Sequence, residues 1–215
     1  MQPAEQLADG LARLGLEPAP GVAAKLLAYL DLLAKWNRTY RLTAVHQVAP
    51  AISQHLLDSL AIVPHLVGPT LLDVGSGGGM PGLPLAILRP DLRTLLLDAS
   101  SKKAAFLKQA AIELDLTNIA VHCGRVEDYR PAAGFTMITA RAFSTLAEFV
   151  AASHHLLADG GRWLAMKGVR PDAEMAQLAA DVRVEAVHRL VVPGIAGERH
   201  LVVLASRRAG QGGER

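Results

Sequence analysis

The segment Leu71-Leu72-Asp73-Val74-Gly75-Ser76-Gly77-Gly78-Gly79-Met80-Pro81-Gly82 restricts the fold of this chain more than any other. A short apolar run ends in an acid, breaks into glycines, and meets a proline suited to a first helical turn. About 25 residues further on, Leu95-Leu96-Leu97 ends in Asp98. Two strand ends, a Gly-rich turn after the first and an acid at the tip of the second are the parts of a nucleoside-binding crevice in an open α/β sheet.

The rest of the chain agrees with that architecture. Short apolar runs at 70–75, 93–98, 118–123, 135–140 and 162–166 alternate with helix-length segments such as Lys102–Leu114 and Leu146–Leu157, and a further helical stretch follows Pro171. Alternation of this kind implies right-handed crossovers and a mostly parallel sheet covered on both faces. Arg183–Val192 and Arg199–Ala205 are separated by a loop around Pro193-Gly194 that is too short for a helical crossover, so they are expected to pair antiparallel at the sheet's end. Upstream, Val22, Leu26, Tyr29, Leu30 and Leu33 form one helical stripe. A further helix is predicted around Ile52–Val63, capped by Ser53, with Asn37–Thr43 as a turn-forming, positively charged link. The expected organisation is a helical extension over residues 1–66, an α/β domain over 67–207 and a flexible tail over 208–215.

Composition narrows the function. Half of the 215 residues are apolar, enough for a substantial core, yet no run reaches the roughly 18 apolar residues of a membrane span. The first residues show no basic region followed by an apolar one, so a cytoplasmic chain is expected. The single cysteine, Cys123, excludes an intramolecular disulfide and a cysteine-based zinc site; no metal is expected, and the thiol reads as an inert group buried in a strand. A net charge of +2 is far short of what holds a chain to nucleic acid by its overall field. Local basic clusters remain: Lys35, Arg38 and Arg41 around Trp36 and Tyr40, the pair Lys102-Lys103, and Arg207, Arg208 and Arg215 near the end. The Trp36/Tyr40 pair reads as packing rather than base stacking.

Two cofactor classes compete for the Gly-rich turn. Gly77, Gly79 and Gly82 match the spacing of a dinucleotide fingerprint, which places a pyrophosphate on a helix N-terminus. Here, however, Asp73 precedes the turn and the glycines begin at Gly75. S-adenosylmethionine has no phosphate and carries an ammonium and a sulfonium, so a nearby acid favours it. Gly75, Gly77 and Gly79 would let bare backbone approach that ligand, and Asp98 is placed to accept from both ribose hydroxyls. After the third strand, Cys123-Gly124-Arg125-Val126-Glu127-Asp128 offers Val126 as a backbone donor and apolar wall for adenine, with Glu127 beside it.

Together these residues resemble the RsmG family, also called glucose-inhibited division protein B. The likeness takes in Trp36-Asn37 with Leu42-Thr43-Ala44, His55-Leu56-Leu57-Asp58-Ser59-Leu60, the Gly-rich segment, Ser101-Lys102-Lys103 with Phe106-Leu107, and Gly124-Arg125-Val126-Glu127. It continues through Arg141-Ala142, Lys167-Gly168 and Glu198-Arg199-His200, from about residue 29 to residue 205. The Leu-Thr and His-x-x-Asp-Ser elements lie outside the generic cofactor fold.

The resemblance implies a class I S-adenosylmethionine-dependent methyltransferase fold: a Rossmann-like, mostly parallel seven-stranded sheet with an antiparallel last strand and an N-terminal helical extension. It implies methylation of guanine N7 in 16S ribosomal RNA, at guanine 527 of the 530 loop, with the small ribosomal subunit or its assembly intermediate as partner. Carried over by position, the cofactor contacts fall on Gly75, Met80, Val126, Glu127 and Arg141, with Asp73, Gly77, Gly79 and Asp98 from the turn and strand tips. Asp98 stands where relatives often have glutamate, and Arg41 where many have asparagine. Candidate RNA contacts are Arg41, His55, Lys102, Lys103, Lys167 and Arg199. A monomer is expected for so compact a chain.

The chemistry asked of these residues is modest. Guanine N7 is unprotonated at neutral pH, so its methylation needs alignment and charge stabilisation and no general base. The fourth strand ends Thr139-Ala140-Arg141-Ala142-Phe143, without the Asx-Pro-Pro-aromatic motif of exocyclic-amine methylation, and no Pro-Cys pair offers a thiolate nucleophile. Catalysis by positioning, with Arg141 organising the cofactor, is the expectation. His55 and Asp58 share a helix face and could either touch ligands or dock the helical extension onto the sheet. A nicotinamide-dependent oxidoreductase and a non-catalytic RNA-binding protein are the alternatives.

Overall fold

The structure, a computed structural model, describes residues 2–45 and 47–207. The basic residues Arg208 and Arg215 and the expected tail over 208–215 lie outside the described residues. Seven strands form one sheet in the order β3-β2-β1-β4-β5-β7-β6. They are β1 (Thr70–Val74), β2 (Arg93–Asp98), β3 (Ile119–Cys123), β4 (Phe135–Arg141), β5 (Leu157–Lys167), β6 (Val182–Arg189) and β7 (His200–Ser206). Neighbours among β1 to β5 are parallel, and β7 runs antiparallel between β5 and β6. This is the Rossmann-like sheet with an antiparallel last strand that the resemblance implies, and the antiparallel pair at its end is the one expected from the short loop around Pro193-Gly194.

Strand alternation divides the core into two layers. Leu71, Leu96, Met137, Leu164, Leu201 and Val203 face a layer that continues into the N-terminal helices α1 (Pro3–Arg13) and α2 (Val22–Tyr40). Leu72, Leu97, Ile138, Trp163, Val202 and Leu204 face the opposite layer, under α7 (Leu146–Ser153). The buried Trp163 indole donates to Ser153 Oγ at 3.0 Å, so its polar edge is satisfied. The α2 stripe buries Leu26, Tyr29, Leu30 and Leu33, and α1 approaches the next segment so closely that a Cβ on Gly10 would lie 2.3 Å from Leu57.

That segment is α3 (Val48–Ala51), a π turn (Ile52–Leu57) and α4 (Asp58–Leu60) in unbroken succession. Ser53 is therefore not a cap; it is buried inside the π turn. The link expected over Asn37–Thr43 is helical as far as Tyr40 and ends at Arg41 in the left-handed region, φ 52°. Two helices are shorter than their patterns suggest. α7 stops at Ser153 and passes into a 3-10 turn (His154–Leu156), while α8 (Asp172–Met175) is a single turn after Pro171. Cys123 is exposed, against the expectation of burial, because β3 is the edge strand and Cys123 is its last residue. No helix among the described residues is long and apolar enough to cross a membrane.

Candidate active site

The C-terminal tips of β1, β2 and β4 meet over the Gly-rich loop that leads into α5 (Gly82–Leu88). Loop and strand tip are knitted by backbone: Gly75 and Ser76 N–H donate to Leu97 O at 2.8 and 3.0 Å. Gly77 N–H donates to Asp98 Oδ2 at 2.9 Å, and Ser76 Oγ accepts from Leu97 N–H at 3.1 Å. The glycines fall into two groups. Gly75 and Gly77, at φ 70° and 58°, look into open space, where a Cβ would meet nothing within 4 Å at Gly75 and only a carbonyl 3.8 Å away at Gly77. The others face protein: a Cβ would lie 2.3 Å from Leu83 at Gly79, 2.9 Å from Met80 at Gly78, and 2.3 Å from Leu96 at Gly82. Two glycines thus line a cradle, and three permit close packing beneath it.

Asp73 is wholly buried under this loop. Its Oδ2 accepts from Gly82 N–H at 3.0 Å, while Oδ1 has no partner. Burial pushes its carboxyl up to about 7, against the pull of the Gly82 N–H, the Ser76 hydroxyl and the Arg141 charge. Since this carboxyl already occupies the start of α5, a pyrophosphate seated there would meet an acid. Asp98 is also buried, at the tip of β2. Its Oδ1 accepts from Ser100 N–H at 2.8 Å, and Lys103 Nζ lies 3.7 Å from Oδ2. Val126 is buried in a 3-10 turn beyond β3, and its neighbour Glu127 is exposed and paired with Arg125 at 3.0 Å. An open backbone cradle, a carboxylate at its rim and an apolar wall suit a nucleoside with a cationic end.

On the other side of Arg141 lies a cleft of about 430 Å³ at the tips of β4 and β5. It collects four of the expected site residues, His55, Arg141, Lys167 and Arg199, together with Asp58. Arg141 ends β4 and is the joint between cradle and cleft. Its Nη1 donates to Gln54 O at 2.7 Å and Asp58 Oδ2 at 3.2 Å, and its Nη2 lies 3.2 Å from Met80 Sδ. Asp58 also accepts from Arg199 Nε at 2.9 Å through Oδ1. Lys167 is held by Glu174 at 2.8 Å. His55 Nε2 lies 2.9 Å from Thr43 Oγ1 and Nδ1 has no partner; burial, then the nearby Arg141 charge, push the imidazole down to about 4, so it is neutral at pH 7.

Arg41, Lys102 and Lys103 lie outside this cleft. Arg41 is exposed at the end of α2, and Lys102 is exposed on α6 (Ser101–Glu113). Lys103 turns toward Asp98, a counter-ion position that its adjacency to Lys102 did not signal. Residues missed from sequence include Tyr29, whose hydroxyl donates to Gly78 O at 2.6 Å, and Gln54, which acts through its backbone. Tyr29 sits on the apolar stripe of α2 and could not be told from core.

Known proteins resemble the chain at two levels. A coclaurine N-methyltransferase bound to N-methylheliamine and SAH superposes with a TM-score of 0.55 at 12% identity, covering 87% of this chain and 71% of that one; at that identity the likeness establishes the fold. The ribosomal RNA small subunit methyltransferase G of Laribacter hongkongensis is 56% identical over 203 residues, 94% of this chain and 98% of the relative. The protein of the same name from Neisseria meningitidis serogroup C (strain FAM18) is 52% identical over 208 residues, 96% of this chain and the whole of the relative. The family model for GidB, rRNA small subunit methyltransferase G, matches residues 22–202. That span covers the cradle, the cleft and the segments that hold Arg141, and by it the chain belongs to the GidB family of rRNA small subunit methyltransferases.

Proposed function

We propose that this chain transfers a methyl group from S-adenosylmethionine to N7 of guanine 527 in the 530 loop of 16S ribosomal RNA. It acts in the cytoplasm, as a monomer, on the small subunit or an assembly intermediate. The observation that carries this reading is the match to GidB along residues 22–202. The donor is supported by the cradle and by the SAH in a methyltransferase of the same fold. The nucleotide and the atom rest on the motif likeness, above all Leu42-Thr43 and His55-Leu56-Leu57-Asp58-Ser59, which lie outside the generic cofactor fold.

S-adenosylmethionine, when bound, supplies an electrophilic methyl group on a sulfonium. Gly75 and Gly77 present bare backbone to it, with Gly79 shaping the loop from behind. Asp98 accepts from the ribose hydroxyls, Val126 walls the adenine with Glu127 at its edge, and the buried Asp73 anchors the loop from beneath through Gly82 N–H. Met80 and Arg141 hold the end that opens on the cleft. Guanine N7 presents a lone pair and loses no proton, so the neutral His55, bonded to Thr43, has no base to be. The cleft has to position the purine, exclude water and offset the positive charge it acquires. Arg199 and Lys167 border the cleft. Arg41 and Lys102, exposed, reach phosphates as part of an RNA-side surface to which the extension over residues 1–66 contributes.

Mass-spectrometric mapping of 16S RNA from cells with and without the gene tests the reading. The N7-methyl group at guanine 527 is lost on deletion, restored by the intact gene and not restored by Gly77→Val. Its persistence in the deleted strain would refute the assignment. Calorimetry with S-adenosylhomocysteine against NADH decides the donor class, with binding expected for the former alone.

A further inference from the structure

We propose that Asp58 is a positioning residue for methyl transfer, one that aims Arg141 by dividing its carboxylate between Arg141 and Arg199. The proposal rests on the reading above, in which the cleft beside Arg141 receives the methyl acceptor. Arg141 is the last residue of β4 and is followed by Ala142 at φ 66°, and its guanidinium contacts three groups: Gln54 O, the Asp58 carboxylate and Met80 Sδ. Of these only Asp58 bears a charge. Its side chain is 5% exposed, against 24% for Arg141 and 31% for Arg199, so the carboxylate lies inside and the two guanidiniums point from it toward the cleft.

Docking alone does not account for this arrangement. A buried acid that only pinned the helical extension to the sheet would be matched by one arginine; here each oxygen takes a different one, at 3.2 and 2.9 Å, from β4 and from the loop before β7. Two guanidiniums without an acid would oppose both the cationic donor and the positive charge growing on the purine, and would repel each other out of position. Asp58 cancels one of the two charges and fixes both directions. The π turn supports it: Asp58 N–H bonds Ser53 O, five residues back, and in that register Gln54 O accepts from Arg141.

The test is a double-mutant cycle on Asp58→Asn and Arg141→Lys with two readouts. In calorimetry with S-adenosylhomocysteine and no RNA, each single variant is expected to bind several-fold more weakly, and the double variant no more weakly than the worse single one. In steady-state methylation of small subunits, Asp58→Asn is expected to lower kcat by about tenfold to a hundredfold, the scale of a misaimed group, while KM for the subunit moves less than threefold. A merely structural Asp58 would lower the melting temperature and leave kcat per folded molecule unchanged; that outcome, or additive losses in the binding cycle, overturns the proposal. The binding cycle needs no acceptor, so coupled binding without any methylation of small subunits would refute the acceptor reading and leave the aiming of Arg141 standing. If Asp58→Asn does not fold, Arg199→Gln opens the same bracket from its exposed arm. It is expected to lower kcat about threefold to tenfold with melting unchanged, and an unchanged kcat there refutes the proposal.

Discussion

On the donor side of the site, the bonds that shape the cradle join near neighbours in the chain: Gly77 to Asp98 spans 21 positions and Gly82 to Asp73 spans 9. On the acceptor side Arg141 reaches Gln54 and Asp58 across 87 and 83 positions, and Arg199 reaches Asp58 across 141. The donor half is backbone of one strand-loop-helix unit, tied to the tip of the neighbouring strand β2 and to the Tyr29 hydroxyl of α2. The acceptor half consists of side-chain charges that three distant segments bring together. A side chain added where the donor loop faces open space should therefore act by steric exclusion and leave the fold standing, whereas a substitution on the acceptor side should act through alignment.

The hardest test of that contrast is the pair Gly77→Val and Gly82→Val. Valine at 77 fills open space and is expected to cut S-adenosylhomocysteine affinity more than about a hundredfold, at a fold cost of about 1–2 kcal/mol for its left-handed backbone. Valine at 82 drives into Leu96 and Asp73 and is expected to cost about 1–3 kcal/mol of stability in denaturant unfolding. If both variants lose stability alike and still bind, the division of the glycines is wrong. Next in size, Asp98→Ala should weaken the same ligand by about tenfold to a hundredfold, since hydrogen bonds to a charged group contribute about 1.5–3 kcal/mol.

Smaller effects separate neighbouring lysines. Lys103→Met should change cofactor affinity severalfold because Lys103 faces Asp98; Lys102→Met should leave it alone, weaken RNA binding and reduce the salt slope by about one. Equal behaviour of the two would erase the boundary between the halves at α6.

The smallest contrast is in pH. His55 falls to about 4 in the folded chain, below its ordinary 6.5, so the unfolded chain binds more protons between those values; its contribution to stability is complete above 6.5 and is lost as pH falls toward 4. Asp73 rises from 3.8 to about 7, so its contribution runs the other way and is lost as pH climbs through 7. In thermal melts of the cofactor-free protein the two slopes oppose each other between about pH 4 and 6.5, so Asp73→Asn should make stability rise with pH across that window and His55→Gln should make it fall. Unchanged profiles would mean that neither group titrates as its burial demands.

The same contrast explains what could be read from the chain. The crossover pattern, the turn after Asp73 and the acid at Asp98 were legible because period-two burial and a Gly-rich turn are local in sequence. The shape of the acceptor cleft was not. His55 and Asp58 could be placed on one helix face, but the arginines that Asp58 holds arrive from β4 and from the loop before β7, and no spacing rule links them. Ser53 misled because a serine before an apolar run looks like a cap, and the π turn that buries it has no composition of its own. Cys123 misled because an apolar strand reads as central until its neighbours are known, and β3 has a neighbour on one side only.

The position of β7 ties the integrity of the sheet to that of the acceptor cleft. One edge of β5 is paired by β4 and the other only by His200–Ser206, which lies between it and β6. Arg199 immediately precedes that strand and reaches its carboxylate only with it. Without β7, Asp58 would keep Arg141 alone and β5 would present an open edge.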